Sequence, residues 1–89
     1  MRLLEKLASV QHEIWSHWMT YLFSVCIENS DGSYTIPVEK VQRWKYQIAT
    51  QFDTLSELEK QSDREQAEKV LTLISEDKDL VREEILKEG

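Results

Sequence analysis

The chain has 89 residues and a formal net charge of −6, so it is long enough for one small hydrophobic core. Its single cysteine, Cys26, excludes a disulfide framework. No apolar stretch reaches the roughly 20 residues that a membrane-spanning helix needs, and the early charges of Arg2, Glu5 and Lys6 are unlike a secretory leader. We therefore expect a single helical domain over residues 1–89, located in the cytoplasm, with no membrane partner.

The negative charge lies in the second half of the chain. Residues 1–45 carry five basic and five acidic side chains, whereas residues 46–89 carry six basic and twelve acidic ones. Nucleic-acid binding depends on basic side chains that neutralise phosphates. This balance argues against a nucleic-acid partner.

A long first helix is predicted from about Arg2 to Ile27. Beyond Trp18, apolar side chains nearly encircle the helix axis, so we expect this end to be buried on several sides at the centre of the domain. The pattern rests on apolar residues at spacings of three and four, namely Leu3, Leu7, Val10, Ile14, Trp18 and Tyr21.

A turn is predicted after the first helix. Asp31-Gly32 is a strong turn signal, and the residues on either side of it, 25–27 and 34–36, favour strands. Two alternatives stay open for this region, a short β-hairpin around residues 25–36 or a plain loop.

Two further helices are predicted from local signals. Pro37 suits a first helical turn, so a helix is expected from there to about Thr50. Ser56, followed three residues later by Glu59, has the spacing of a capping box at the start of the next helix.

The C-terminal segment has two possible forms. The apolar stripe of the third helix ends at Ile74, and after a polar stretch at Ser75 the apolar pattern resumes. Residues 76–88 are then either a fourth helix, capped by Ser75, or an extension of the third. The expected fold class is all-α, a compact bundle of three to four helices in which the compact part spans about residues 2–74.

No arrangement of residues indicates catalysis or metal binding. His12 and His17 are five residues apart and do not share a helix face. Cys26 lies roughly 13 Å or more from either histidine along a straight helix. Glycine-rich phosphate loops and zinc-ligand sets are absent from the sequence. We therefore predict a protein that is not an enzyme and needs no cofactor.

Aromatic and basic residues provide the candidates for a binding site. Trp15 and Trp44 lie on helix faces, where they are either core residues or an aromatic wall for a ligand. Lys40, Arg43 and Lys45 form a positive patch beside Trp44. The patch is either a solvated helix face or a site for an anionic group such as a nucleotide phosphate.

The last apolar residues suggest self-association. From Ala67 to Ile85 the chain carries a 4-3-4-3-4 spacing typical of a coiled-coil seam, formed by Ala67, Leu71, Ile74, Lys78, Val81 and Ile85. Four apolar residues beyond the compact part would gain a surface in an oligomer: Leu80, Val81, Ile85 and Leu86.

Three stretches resemble the ryanodine-receptor-type (RyR) repeat domain, which occurs in ion channels and in small bacterial and phage proteins. They are Val-Gln-His-Glu-Ile-Trp at 10–15, Val-Gln-Arg-Trp at 41–44, and the segment 52–64, which follows the order aromatic-x-x-Leu-x-x-x-x-Lys-x-x-Asp-Arg. The resemblance implies a compact helical module, sometimes with a small hairpin, that acts by binding. The site residues that it implies are His12, Trp15, Trp44, Lys60, Asp63 and Arg64.

Two functions follow as expectations. The first is a small non-enzymatic binding module of bacterial or phage type that recognises a small anionic, nucleotide-like ligand. Its site would comprise His12, Trp15, Arg43, Trp44, Lys60, Asp63 and Arg64. The alternative is a structural or adaptor protein that self-associates through its C-terminal helix, so that its partner is a protein, including a second copy of the chain.

Overall fold

A computed structural model describes residues 2–88, apart from the side chains of Glu84 and Glu88. Within this range the chain forms four α-helices, one β-hairpin and a short 3-10 helix. In chain order they are α1 (Leu3–Val25), β1 (Ile27–Glu28), β2 (Tyr34–Thr35), α2 (Val38–Ile48), the 3-10 helix (Phe52–Thr54), α3 (Glu57–Glu76) and α4 (Lys78–Glu88). The predicted fold class, a helical bundle with a short hairpin, is confirmed. None of these helices is both long and apolar enough to cross a membrane.

The hairpin is the form that the chain adopts between α1 and α2. Its strands are antiparallel, and Glu28 is paired with Tyr34. Gly32 has a φ of +89°, a left-handed conformation that favours glycine. The Asp31 carboxylate accepts hydrogen bonds from the backbone N–H of Ser33 at 3.0 Å and from its hydroxyl at 2.6 Å. These bonds lower the pKa of Asp31 and hold the turn.

Helix starts follow the local signals closely. The Ser56 hydroxyl oxygen accepts from the backbone N–H of Glu59 at 3.2 Å, and the Glu59 carboxylate accepts in return from the Ser56 backbone N–H at 3.3 Å. The predicted capping box is therefore confirmed. Pro37 directly precedes α2 instead of lying in its first turn, and its carbonyl accepts from the N–H groups of Lys40 and Val41.

Of the two forms predicted for the C-terminal segment, the structure has the separate fourth helix. Ser75 is not its cap, because α3 continues through Ser75 to Glu76. The backbone leaves helical geometry at Asp77, where φ is −116° and ψ is 45°. The Asp77 carboxylate pairs with Lys6 of α1 at 2.8 Å. The start of α1 is therefore held at the junction between α3 and α4, and α1 runs antiparallel to α3.

The helices enclose little apolar volume. The radius of gyration is 17.3 Å, whereas about 12 Å is typical of a closed domain of this length. Leu73 is the one apolar side chain within residues 2–88 that is buried. The second half of α1 was expected to be buried on several sides, and this expectation is wrong, because Tyr21 and Phe23 are exposed. The physical reason is that Tyr21 lines an open cleft between the helices, whereas Phe23 lies against the hairpin, with its ring centroid 5.0 Å from that of Tyr34.

Candidate functional site

A cavity of about 630 Å³ lies between α1, α2 and α3. α1 contributes its second half to the walls, α2 its last turns and α3 its first turns. The apolar lining consists of Trp18, Tyr21, Leu22, Trp44, Ile48, Leu55 and Leu58. The polar lining consists of His17, Arg43, Gln47, Glu59, Ser62, Asp63 and Glu65. We call this cavity the three-helix cleft.

Aromatic rings form part of the cleft lining. Trp18 of α1 and Trp44 of α2 are both half-buried. Trp18 packs edge-on against Tyr21, with ring centroids 6.2 Å apart, and against His17, with centroids 4.9 Å apart. Such edge-to-face pairs hold the rings in defined orientations. The cleft therefore offers an aromatic, apolar surface to whatever occupies it.

The mouth of the cleft is apolar and open. Ile48 at the end of α2 is 85% exposed, and Leu58 in the first turn of α3 is 81% exposed. The cavity volume is in the range of sites for small molecules. However, the exposure of these two side chains extends the apolar surface beyond the cavity, as in a groove.

Negative charge predominates at the edge of the cleft. Three carboxylates of α3, those of Glu59, Asp63 and Glu65, face one guanidinium, that of Arg43. Hydrogen bonds from Ser56 and Gln47 lower the pKa of Glu59, so this carboxylate is ionised at neutral pH. This balance disfavours a free anion in the cleft.

The Gln47 side chain links α2 to α3 across the same edge. Its amide nitrogen Nε2 donates a hydrogen bond to Glu59 Oε2. Glu59 thus takes part in two structures at once, the capping box of α3 and the connection to α2. One carboxylate thus joins the start of α3 to the last turn of α2.

Three of the seven residues predicted for ligand binding line the cleft, namely Arg43, Trp44 and Asp63. Lys60 and Arg64 lie elsewhere on α3 and bind Glu57, with N–O distances of 3.6 and 3.2 Å. These two cations lower the pKa of Glu57, Arg64 most strongly.

Lys60 and Arg64 also share an aromatic neighbour. Their charged groups lie 6.0 and 5.9 Å from the centroid of the Phe52 ring. Distances of about 6 Å are at the limit of cation–π attraction. Within the described residues, the two cations therefore connect α3 to the 3-10 helix and pair with the carboxylate of Glu57 in the first turn of α3.

His12 and Trp15 form a separate pair on α1. Their rings stack with centroids 5.8 Å apart and planes 20° apart. Trp15 is exposed, and neither residue lines the cleft. The structure therefore does not bring the seven predicted residues together into one site.

Several cleft residues were missed as site residues by the sequence analysis. Trp18, Tyr21 and Leu22 of α1 follow helical spacing, as Ile48 of α2 does with the predicted Trp44, but this spacing also describes an ordinary core face. Glu65 is one of many acidic residues in the second half of the chain. The signal that these residues share a cleft is tertiary, because it depends on the distance between helices.

The four residues predicted for self-association divide into two pairs. Leu80 and Val81 are half-buried where α4 packs against α1 and α3. Ile85 and Leu86 are 63% and 69% exposed. Leu71 and Ile74 of α3, which belong to the same heptad-like spacing, are exposed as well.

The described part of the chain contains no cluster of side chains suited to metal binding, and its cysteine stands alone. Cys26 is half-buried and is not part of a disulfide. Among residues 2–88, no three His, Cys, Asp or Glu side chains come close enough to share a metal ion.

Comparison with known proteins does not indicate a function for the cleft. No family model, no curated protein and no solved structure matches this chain, so the resemblance to the RyR repeat domain stays a prediction.

Proposed function

We propose that this chain is a small non-enzymatic interaction module that works as a homo-oligomer, in which a second copy covers the apolar surface of the C-terminal segment. The observation that carries the proposal is the accessible surface of one chain, 7164 Å². A folded monomer of this length exposes about 5,500 Å². The excess of roughly 1,700 Å² per chain is within the range that obligate dimers bury per partner.

The weak core of the single chain supports the same proposal. With Leu73 as the buried apolar residue, one copy has little hydrophobic stabilisation of its own. Small domains of this kind commonly gain stability from oligomerisation. A second copy would supply the missing burial without any other ligand.

The C-terminal segment is the best candidate for the contact between copies. Leu71 and Ile74 of α3 and Ile85 of α4 are exposed. The break at Asp77 divides the predicted seam into one part on each helix. Full burial of one such side chain contributes about 1.5–3 kcal/mol. Leu86 lies beside this seam and is exposed to a similar extent as Ile85.

A small anionic ligand is the weaker candidate. Arg43 and Trp44 would offer it a cation and an aromatic face, but the three carboxylates of the cleft would repel it. Lys60 and Arg64 are already engaged by Glu57.

The test is the molar mass of the chain by light scattering coupled to size-exclusion chromatography, across the micromolar range. The wild type is expected to have at least the mass of a dimer, and the variant Ile85→Glu with Leu86→Glu is expected to have the mass of a monomer. Lys87→Glu is the matched control, because it changes the net charge by the same amount on the opposite side of α4. A monomeric wild type at every concentration, or a dimeric double variant, would overturn the proposal.

A further inference from the structure

The three-helix cleft is not needed for the contact between copies proposed above. It lies at the start of α3, whereas the exposed seam residues lie in the second half of α3 and in α4. Its aromatic lining, its two exposed aliphatic residues and its three carboxylates are therefore unexplained by self-association. We propose that the three-helix cleft is a docking groove for a basic amphipathic helix of a partner protein.

The cleft is long enough for a short stretch of helix. Along α3 its lining runs from Leu58 to Glu65, about 10 Å or two helical turns. A bound helix presents its apolar anchors at intervals of three and four residues over that length. These anchors would pack on Trp18 and Trp44, while the flanks of the helix would cover Ile48 and Leu58.

A small molecule fits these observations less well. Ile48 and Leu58 stand at the mouth and are more than four-fifths exposed. A small cation bound between the aromatic rings would leave both side chains in water. An amphipathic helix covers them and so removes more apolar surface from water.

The negative charge of the cleft favours a partner that carries positive charge. On α3, Glu59 and Asp63 are four residues apart and lie on one face. Glu65 lines the same cavity, and Arg43 is the opposing cation in the lining. Lysine or arginine residues that flank the apolar face of a bound helix would meet these carboxylates, which favours a basic partner and speeds its association.

The same charges argue against a second copy as the occupant. α4 carries four acidic and three basic side chains, so it has no excess of positive charge. If α4 of another copy entered the cleft, it would bring no net positive charge to Glu59, Asp63 and Glu65. A basic helix is therefore the better electrostatic match.

The probe for the test is a synthetic peptide of leucine and lysine whose leucines follow helical spacing. A control peptide has glutamate in place of every lysine and keeps the leucines. Binding is measured by the tryptophan emission of Trp18 and Trp44 in a Trp15→Phe background, because Trp15 is exposed and lies outside the cleft. We expect a saturable blue shift with the lysine peptide and at least about tenfold weaker binding of the glutamate peptide.

Charge reversal within the chain locates the binding site. Asp63→Lys with Glu65→Lys is expected to weaken binding of the lysine peptide by about tenfold. Asp79→Lys with Glu83→Lys makes the same change of net charge on α4, outside the cleft, and is expected to leave the affinity within about twofold. Asp63→Asn with Glu65→Gln keeps the side-chain shapes and is expected to weaken binding in the same direction, so misfolding of the reversal variant would not prevent the test.

Three results would overturn the proposal. Equal losses in the two charge-reversal variants would mean that the peptide binds the overall negative charge. Equal affinities for the lysine and glutamate peptides would remove the selection by charge. Tryptophan emission that shifts to the blue with protein concentration alone would mean that a second copy fills the cleft. Repeating the titration in the Ile85→Glu, Leu86→Glu variant separates this proposal from self-association, because the cleft residues are unchanged in it.

Discussion

Lys6 Nζ lies 2.8 Å from Asp77 Oδ1, which joins the start of the first helix to the single residue between the last two helices. The two side chains are 71 positions apart in the sequence and both are largely removed from solvent. The pair lies where α4, which carries the exposed Ile85 and Leu86, departs from α3.

The ion pair is expected to contribute modestly to stability. Lys6→Met should lower the free energy of unfolding by about 0.2–1 kcal/mol, since both groups keep some solvent access. Lys45→Met is the control, because Lys45 is exposed on α2. Chemical denaturation of Lys6→Met, Asp77→Asn and the double variant gives a coupling energy. A coupling energy of zero would show that the pair has no structural role.

The cap of α3 should be the more sensitive position. Ser56→Ala removes the acceptor for the Glu59 backbone N–H and should cost about 1 kcal/mol. For a domain of this size, that corresponds to a lowering of the thermal midpoint by about 4–8 °C. Ser56→Asp, which keeps a capping oxygen, should restore most of the loss. Ser75→Ala should leave the stability unchanged, because Ser75 is an exposed residue inside α3. If Ser75→Ala destabilised the protein as much as Ser56→Ala, Ser56 would have no special role as the cap.

Acid should destabilise the start of α3. The pKa of Glu57 is lowered mainly by its hydrogen bond from Arg64, and that of Glu59 mainly by its hydrogen bond from Ser56. A carboxyl whose pKa is lower in the folded state contributes stability above its unfolded pKa and loses it as the pH falls through the folded value. The thermal midpoint of the protein should therefore decrease as the pH is lowered below about 4.3.

The variant Glu59→Gln isolates one of these carboxyls. Its thermal midpoint should depend less on pH in the acid range than that of the wild type, because the group that titrates there has been removed. Glu83→Gln on α4 provides a comparison at an exposed position. If the thermal midpoints of the wild type and Glu59→Gln depend on pH in the same way, Glu59 does not contribute to the loss of stability in acid.

Anionic metabolites should leave the protein's stability unchanged. The carboxylates of Glu59, Asp63 and Glu65 outnumber Arg43 in the cleft, so nucleotides and inorganic phosphate should not bind there. A ligand at a hundred times its dissociation constant would add about 2.7 kcal/mol of stability, which a thermal-shift measurement detects easily. A clear upward shift that disappears in Arg43→Ala would instead establish the anion-binding function.

Local structure was largely predictable from the sequence, because neighbouring residues decide it. Ser56 and Glu59 satisfy the first backbone N–H groups of α3 between themselves. Asp31 and Gly32 close the hairpin turn with bonds and a backbone conformation that span only a few residues. Such features need no knowledge of the rest of the fold.

The candidate site was only partly predictable, because apolar periodicity identifies a helix face without identifying its neighbour. Trp15 and Trp18 belong to the same wide apolar face of α1, yet Trp18 lines the cleft and Trp15 is exposed beside His12. Lys60 and Asp63 are three residues apart, yet only Asp63 reaches the cleft.

The sequence alone determined the helical class, the hairpin signal, the cap of α3 and the acidity of the second half, since each depends on composition or on residues close along the chain. Only the tertiary structure decided that the helices stand apart around an open cleft and that Lys60 and Arg64 bind Glu57. It also decided that Leu80 and Val81 are half-buried while Ile85 and Leu86 are exposed. The physical reason is that distances between helices depend on packing between residues far apart in the chain.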